Sequence, residues 1–226
     1  MNNPSRRLEW IVWGSIGLTI AAIVAAFVVT EVRRDRRPPL PVFFEVPAFT
    51  LTNQAGVPFD TASLRGQVWL ADIIFTRCPG PCARMTRRVA ELQAALPAGA
   101  PVRFVTLTTD PLHDTPPVLA AYARSFGADP SRWQFLTGTK AQIGFAATNC
   151  LKLTALDKEA AKMESPNDLF IHSTILVVID KQSRVRAIIE TEPGETLPPE
   201  ESLRELVRTN ALPIIERLLK ESRGKK

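Results

Sequence analysis

The chain has 226 residues, 45% hydrophobic and 23% charged, which excludes a chain disordered throughout, a collagen-like repeat and a multi-pass membrane protein. Three cysteines are too few for a disulfide-built scaffold. The net charge of +5 invites a nucleic-acid reading, but the basic residues cluster at the two ends and residues 38–216 carry a net charge of −2, so no nucleic-acid partner is expected.

The N-terminal excess comes from Arg6, Arg7, Arg33, Arg34, Arg36 and Arg37 against Glu9, Glu31 and Asp35. Between those arginines runs WIVWGSIGLTIAAIVAAFVVT, residues 10–30, without a charge. A helix of that length spans roughly 30 Å, the thickness of a bilayer core. Trp10 and Trp13 stand at one end, as interfacial anchors do, and the flanking arginines suit headgroups. A cleaved signal peptide would have a shorter apolar run and a small-x-small site; this run is longer and ends in VVTEVRRDRR. Residues 1–37 therefore read as a retained membrane anchor with a helix over about 10–30. The arginines beyond the span outnumber those before it, and that count alone keeps the rest of the chain in the cytoplasm. The thiol chemistry below argues for the opposite side.

Residues 38–48 are proline-rich and read as a stiff, extended tether. Residues 49–226 read as one domain with a basic C-terminal tail. Within it, 67–75 is an apolar run expected as a buried strand, and 81–96 carries a helical stripe of Met85, Val89, Leu92 and Leu96. Residues 102–109 form a β-branched strand. Residues 115–127 form a helix begun at proline and ended at glycine. A short strand at 133–138 and a helix at 139–150 follow. Residues 174–180 and 184–190 form a hairpin, and 199–219 a terminal helix that Pro213 should kink or divide. The order β-α-β-α-β-α-β-β-α predicts an α/β domain with a mixed central sheet, closed by an antiparallel edge.

The chemistry gathers at FTRCPGPCARMT. Cys78 and Cys82 lie between an expected strand and an expected helix, where helix amides and the macrodipole favour a thiolate; Arg77 and Arg84 add positive charge. Two such thiols can form a disulfide or hold one soft metal ion. The Cys-x-x-x-Cys spacing is one residue wider than a thioredoxin-type redox pair. A zinc site would usually need four ligands, and only Cys150, His113 and His172 remain. Two thiolates with one imidazole suit copper, as Cu(I) or Cu(II). His113 lies in a polar proline-rich loop and reads as a surface residue. His172 precedes a buried strand and reads either as a satisfied core residue or as a ligand. Asp72, inside the apolar strand six residues before Cys78, either faces solvent at a strand edge or is buried where it can move a proton. Cys150 reads as a core residue.

Taken together, these motifs resemble the Sco/SenC family of copper chaperones for cytochrome c oxidase. The N-terminal anchor, FTRCPGPC, TTDPLHDTPPVLAAYARSFG and HSTILVVID occur in that family's order, over roughly residues 45–220. The resemblance implies a thioredoxin-like fold. It also implies copper held by Cys78, Cys82 and His172, with Cys78 and Cys82 as a redox pair. The implied partner is the copper-bearing subunit of the oxidase, alongside other copper chaperones or thiol reductases. The implied location is the inner membrane with the domain facing the periplasm, against the arginine count. Ala83, Ile171 and His113 depart from the family's usual proline, aspartate and arginine. A thiol–disulfide oxidoreductase is the alternative activity. A peroxidase would need an activating threonine or arginine arrangement that the sequence does not place.

Overall fold

The computed structural model describes residues 4–35, 38–78, 80–153, 174–191 and 200–221. The chain divides into two compact units, Met1–Leu40 and Pro41–Lys226. The first contains α1 (Pro4–Asp35). Its stretch Trp10–Thr30 has a mean hydropathy of 2.3 and none of it is buried. Ser15, Thr19 and Thr30 donate their hydroxyls to carbonyls of the preceding turn, which satisfies the polar groups a bilayer would not solvate. Among the described residues this is the one helix long and apolar enough to cross a membrane.

The second unit is built on an eight-stranded mixed sheet. Its strands are β1 (Phe44–Glu45), β2 (Thr50–Asn53), β3 (Pro58–Asp60), β4 (Val68–Ile74), β5 (Val102–Thr108), β6 (Trp133–Thr137), β7 (Ile175–Ile179) and β8 (Arg184–Glu190). They lie in the order β1-β8-β7-β4-β5-β6-β2-β3. β4, β5 and β6 are parallel; the other neighbours are antiparallel. The helices of this unit are α2 (Pro81–Ala95), α3 (Pro116–Ser125), α4 (Lys140–Gly144) and α5 (Glu200–Lys220). All seven residues of β4 are buried, as expected of a parallel strand covered on both faces. α2 starts with Pro81 in its first turn and buries Met85, Val89 and Leu92, the stripe its periodicity predicts. Trp133 stacks on Phe135 with centroids 5.0 Å apart, and its indole N–H donates to Thr106 Oγ1 at 2.8 Å.

Several expectations change. The short strands β1, β2 and β3 were not anticipated, because segments this short with Thr, Asn and Pro are set by tertiary pairing rather than propensity. β2 and β3 are joined by a turn in which Asn53 Oδ1 accepts from the amides of Ala55 and Val57, with Gly56 at φ +78. The 174–190 hairpin is internal rather than an edge, since β7 pairs with β4 and β8 with β1. The helix expected over 139–150 is a capped α-helical turn, Thr139 with Gln142, that widens into π-type turns over Phe145–Cys150. Pro213 lies inside α5 without dividing it.

One end of the sheet is fastened by a buried guanidinium. Arg186 donates to Asp180 at 2.8 Å, to Glu221 at 2.7 Å and to the Pro41 carbonyl at 3.0 Å. Lys181 Nζ caps the end of α5 through the carbonyls of Leu219 and Glu221. Burial alone would push the Asp180 carboxyl up, but hydrogen bonds from Arg184 and Arg186 hold it below the usual range. Arg186→Ala strands Asp180 as a buried, undercompensated charge and is expected to cost about 3–5 kcal/mol, read by urea denaturation of the full chain in detergent.

Candidate functional site

Parallel pairing sets Ile74 opposite Thr108, so the segments that follow β4 and β5 leave the same end of the sheet, where open α/β sheets place functional loops. A buried carboxylate fastens the two segments, beside the Arg77–Asp110 pair and the Thr109 amide on the Ile74 carbonyl. Asp114 is fully buried. It accepts the Thr76 amide at 3.0 Å, the Thr76 hydroxyl at 2.5 Å and the Thr108 hydroxyl. Thr108 Oγ1 in turn accepts the Asp110 amide at 3.0 Å, and the Asp114 amide closes the turn on the Asp110 carbonyl at 2.8 Å. The chain immediately before Cys78 is thus fixed by β5 and its loop.

From that anchor the chain enters α2. The Cys82 amide, at the first turn of the helix, donates to Cys78 Sγ at 3.5 Å. Both thiols are buried and neither is in a disulfide. They cluster with Ile74 and Met85, with Phe75 and Tyr122 packed against them. The thiolate expected at the helix start is not what the Cys82 environment favours. Burial, reinforced by the neighbouring Cys78, pushes the Cys82 thiol up to about 12, because desolvation outweighs the helix dipole once the group is inside. Arg77 is engaged by Asp110 at 2.5 Å with its side chain 60% exposed, so its charge is largely screened.

A second chain of contacts supports the pair from α3. The Thr86 hydroxyl donates to the Cys82 carbonyl at 2.9 Å, which leaves its oxygen to accept from the Tyr122 hydroxyl at 3.0 Å. Tyr122 is the single tyrosine of the sequence; burial pushes its phenol above the ordinary range. Asp72 is buried in β4, opposite Thr106 on β5, so it does not face solvent at a strand edge. Burial, only partly offset by a hydrogen bond with Thr106, raises its carboxyl to about 7. Its Oδ2 has no hydrogen-bond partner among the described residues.

His172 lies outside the described residues. The register of β7 on β4, Ala71 opposite Val177 and Trp69 opposite Ile179, starts β7 at the end of the sheet where β4 delivers the cysteines. His113 is exposed, as expected of a loop residue. Cys150 is fully buried in the main core cluster, separate from the cysteine pair. Among the described residues no three His, Cys, Asp or Glu side chains group as a metal site. The sequence reading passed over Asp114, Thr76, Thr108, Thr86 and Tyr122. For Asp114 and the strand-end threonines the signal is a doubled aspartate in the loop, which only the parallel pairing turns into a site; Thr86 and Tyr122 lie within α2 and α3 and carry no such signal.

Asp72 gives this site a pH signature. A carboxyl raised from 3.8 to about 7 on folding favours the folded state least once it must ionise inside. Wild-type stability should fall relative to Asp72→Asn as pH rises from about 4 through about 7, by up to about 4 kcal/mol. Denaturation curves at pH 4 and pH 9 measure this difference; a constant offset between the two proteins would contradict it.

The SCO1/SenC family model matches residues 42–208. A SCO1 protein homolog of Bacillus subtilis is 40% identical over 99 residues, 43% of this chain and 51% of the relative, so the match spans about half of that relative's length. The structure of BsSco, a member of the Sco family of cytochrome c oxidase assembly proteins in which a disulfide switch was identified, superposes with a TM-score of 0.56. It is 29% identical, covering 77% of this chain and 98% of that one. Yeast Sco1 with copper bound has a TM-score of 0.50 at 20% identity, over 78% and 95% of the two chains, a likeness of fold. The mixed sheet and its helices are the Sco thioredoxin-like fold, and the chain belongs to the SCO1/SenC family.

Proposed function

We propose that this SCO1/SenC protein is a membrane-tethered copper metallochaperone for the binuclear copper centre of cytochrome c oxidase, with copper held by Cys78, Cys82 and His172. The observation that carries the reading is the pair of unoxidised thiols within one helical turn, Cys78 Sγ accepting the Cys82 amide at 3.5 Å. Two soft sulfur donors favour Cu(I), and an imidazole lets the same site hold Cu(II). Yeast Sco1, which has copper bound, shares the fold. β7 begins at the cysteine end of the sheet, and His172 precedes β7 by three residues in the sequence.

Copper is cargo here, exchanged between thiolates of donor and acceptor. Binding must displace the proton that burial holds on Cys82, so loading releases acid and weakens as pH falls. The partner is the copper-bearing subunit of the oxidase, with other copper chaperones or thiol reductases upstream. The apolar helix Trp10–Thr30 tethers the domain to the inner membrane, with the domain in the periplasm. A thiol that must cycle between metal-bound and oxidised forms suits that compartment better than the reducing cytoplasm.

Asp72 and the relation to BsSco, with its disulfide switch, favour thiol–disulfide exchange as a second reading. The Cys78 thiolate attacks a client disulfide, Cys82 resolves the mixed disulfide, and Asp72 accepts the proton of Cys82. The two client thiolates leave as thiols, one taking the proton held by Asp72 and the other the proton that Cys78 gave to water on ionising, and Cys78–Cys82 remains as the disulfide. Copper titration of the reduced full chain in detergent, followed by absorption, separates the readings. The chaperone reading expects about one copper per chain with a sulfur-to-Cu(II) charge-transfer band. His172→Ala should lose Cu(II) while keeping weaker Cu(I); equal Cu(II) affinity in the two proteins would overturn the role given to His172. Efficient client reduction by metal-free protein, abolished by Cys78→Ser and indifferent to His172→Ala, would favour exchange.

A further inference from the structure

The end of the sheet opposite the cysteines carries a feature that copper chemistry does not use. Arg186 holds the carbonyl of Pro41 and the carboxylate of Glu221 on one guanidinium. The first residue of the second unit and the residue just after α5, 180 positions apart in sequence, therefore meet at a single point. Beside it, Val42 and Phe43 are exposed, Phe43 at 54%, with the Phe43 amide donating to Val185. Asp180 is engaged by Arg184 and Arg186, and Glu221 by Arg186. Lys220 is exposed at the end of α5, and Arg65 is exposed next to Gly66, whose amide donates to Lys181. Glu45 and, four residues before Lys220 on α5, Glu216 are exposed acids. Arg223, Lys225 and Lys226 follow in the sequence.

Exposed apolar side chains at the same end of the sheet as exposed basic ones suit an anionic lipid surface, which attracts each nearby Lys or Arg while the apolar groups enter the headgroup boundary. The connectivity selects that occupant. The candidate membrane span ends at Thr30 and its helix at Asp35, and Pro41 opens the sheet unit; five helical residues add about 8 Å to a linker of six peptide steps that reaches at most about 20 Å. Headgroups are thus a surface within reach, and the basic side chains favour anionic ones. We infer that the Pro41–Glu221 end of the domain docks on anionic lipid through Val42, Phe43, Arg65 and Lys220. β4 runs from this end toward the cysteines over seven residues, about 20 Å, so docking presents Cys78 and Cys82 away from the lipid.

The inference rests on the reading of the N-terminal helix as a membrane span, and the test separates the two. The full chain is reconstituted into lipid discs of phosphatidylcholine alone and of phosphatidylcholine with phosphatidylglycerol, then subjected to hydroxyl-radical footprinting. Leu112, 79% exposed in the loop at the cysteine end, is the internal reference. Phe43 and Val42 should be labelled several-fold less on the anionic discs while Leu112 is unchanged. Arg65→Glu with Lys220→Glu, both at exposed positions, should restore labelling of Phe43. Equal labelling of Phe43 on both discs overturns the docking, and so does protection of Leu112 in its place. Failure of the chain to enter discs at all would instead refute the membrane span and the inference with it.

Discussion

The geometry at the cysteine end depends on the buried carboxylate of Asp114. One side chain accepts an amide and a hydroxyl from Thr76 and a hydroxyl from Thr108, binding the segment after β4 to the segment after β5. Without it, the two loops would be joined at their surface by the Arg77–Asp110 pair and at the strand ends by the Thr109 amide on Ile74, with no buried tie between them. With it, Cys78 emerges two residues beyond a fixed point and α2 begins at once. The cost of placing a carboxylate inside is met by donors on both neighbouring segments, the arrangement that makes a buried charge tolerable.

The same unit treats its buried ionisable groups in three ways. Asp114 and Asp180 are satisfied by donors. Asp72 is satisfied only in part, by Thr106, and its carboxyl is raised to about 7. Cys82 is raised to about 12. The first pair hold structure. The other two sit where removal of a proton from one would be felt by the other, since the charge on Asp72 contributes to holding the Cys82 thiol protonated. A thiol kept neutral by burial is inert until a metal ion or a disulfide substitutes for its proton, which suits the copper role proposed for this pair.

Much of this was legible in the sequence. The β4–α2–β5–α3–β6 run has long periodic segments, and proline at the start of α2 and α3 marks their first turns. The pair Cys78 and Cys82 declared itself by position between strand and helix. β1 to β3 were not legible, because strands of two to four residues owe their existence to partners far along the chain. Asp114 was visible only as one acid among several in a loop. Its role arises from the pairing of β4 with β5, which no local pattern states. The protonation of Cys82 ran against a local rule: the helix start favours a thiolate, but burial in the cluster with Met85, Phe75 and Tyr122 acts more strongly. His172 was singled out by resemblance rather than by its surroundings.

The central claim, that Cys78 and Cys82 together with one imidazole form a copper site, is tested most directly by X-ray absorption at the copper edge on the reduced, copper-loaded full chain. The account predicts two sulfur scatterers near 2.3 Å, about the metal–thiolate distance of related soft-metal sites, and one nitrogen scatterer that disappears in His172→Ala. A first shell of nitrogen and oxygen alone, or one unchanged in Cys78→Ser, would contradict it.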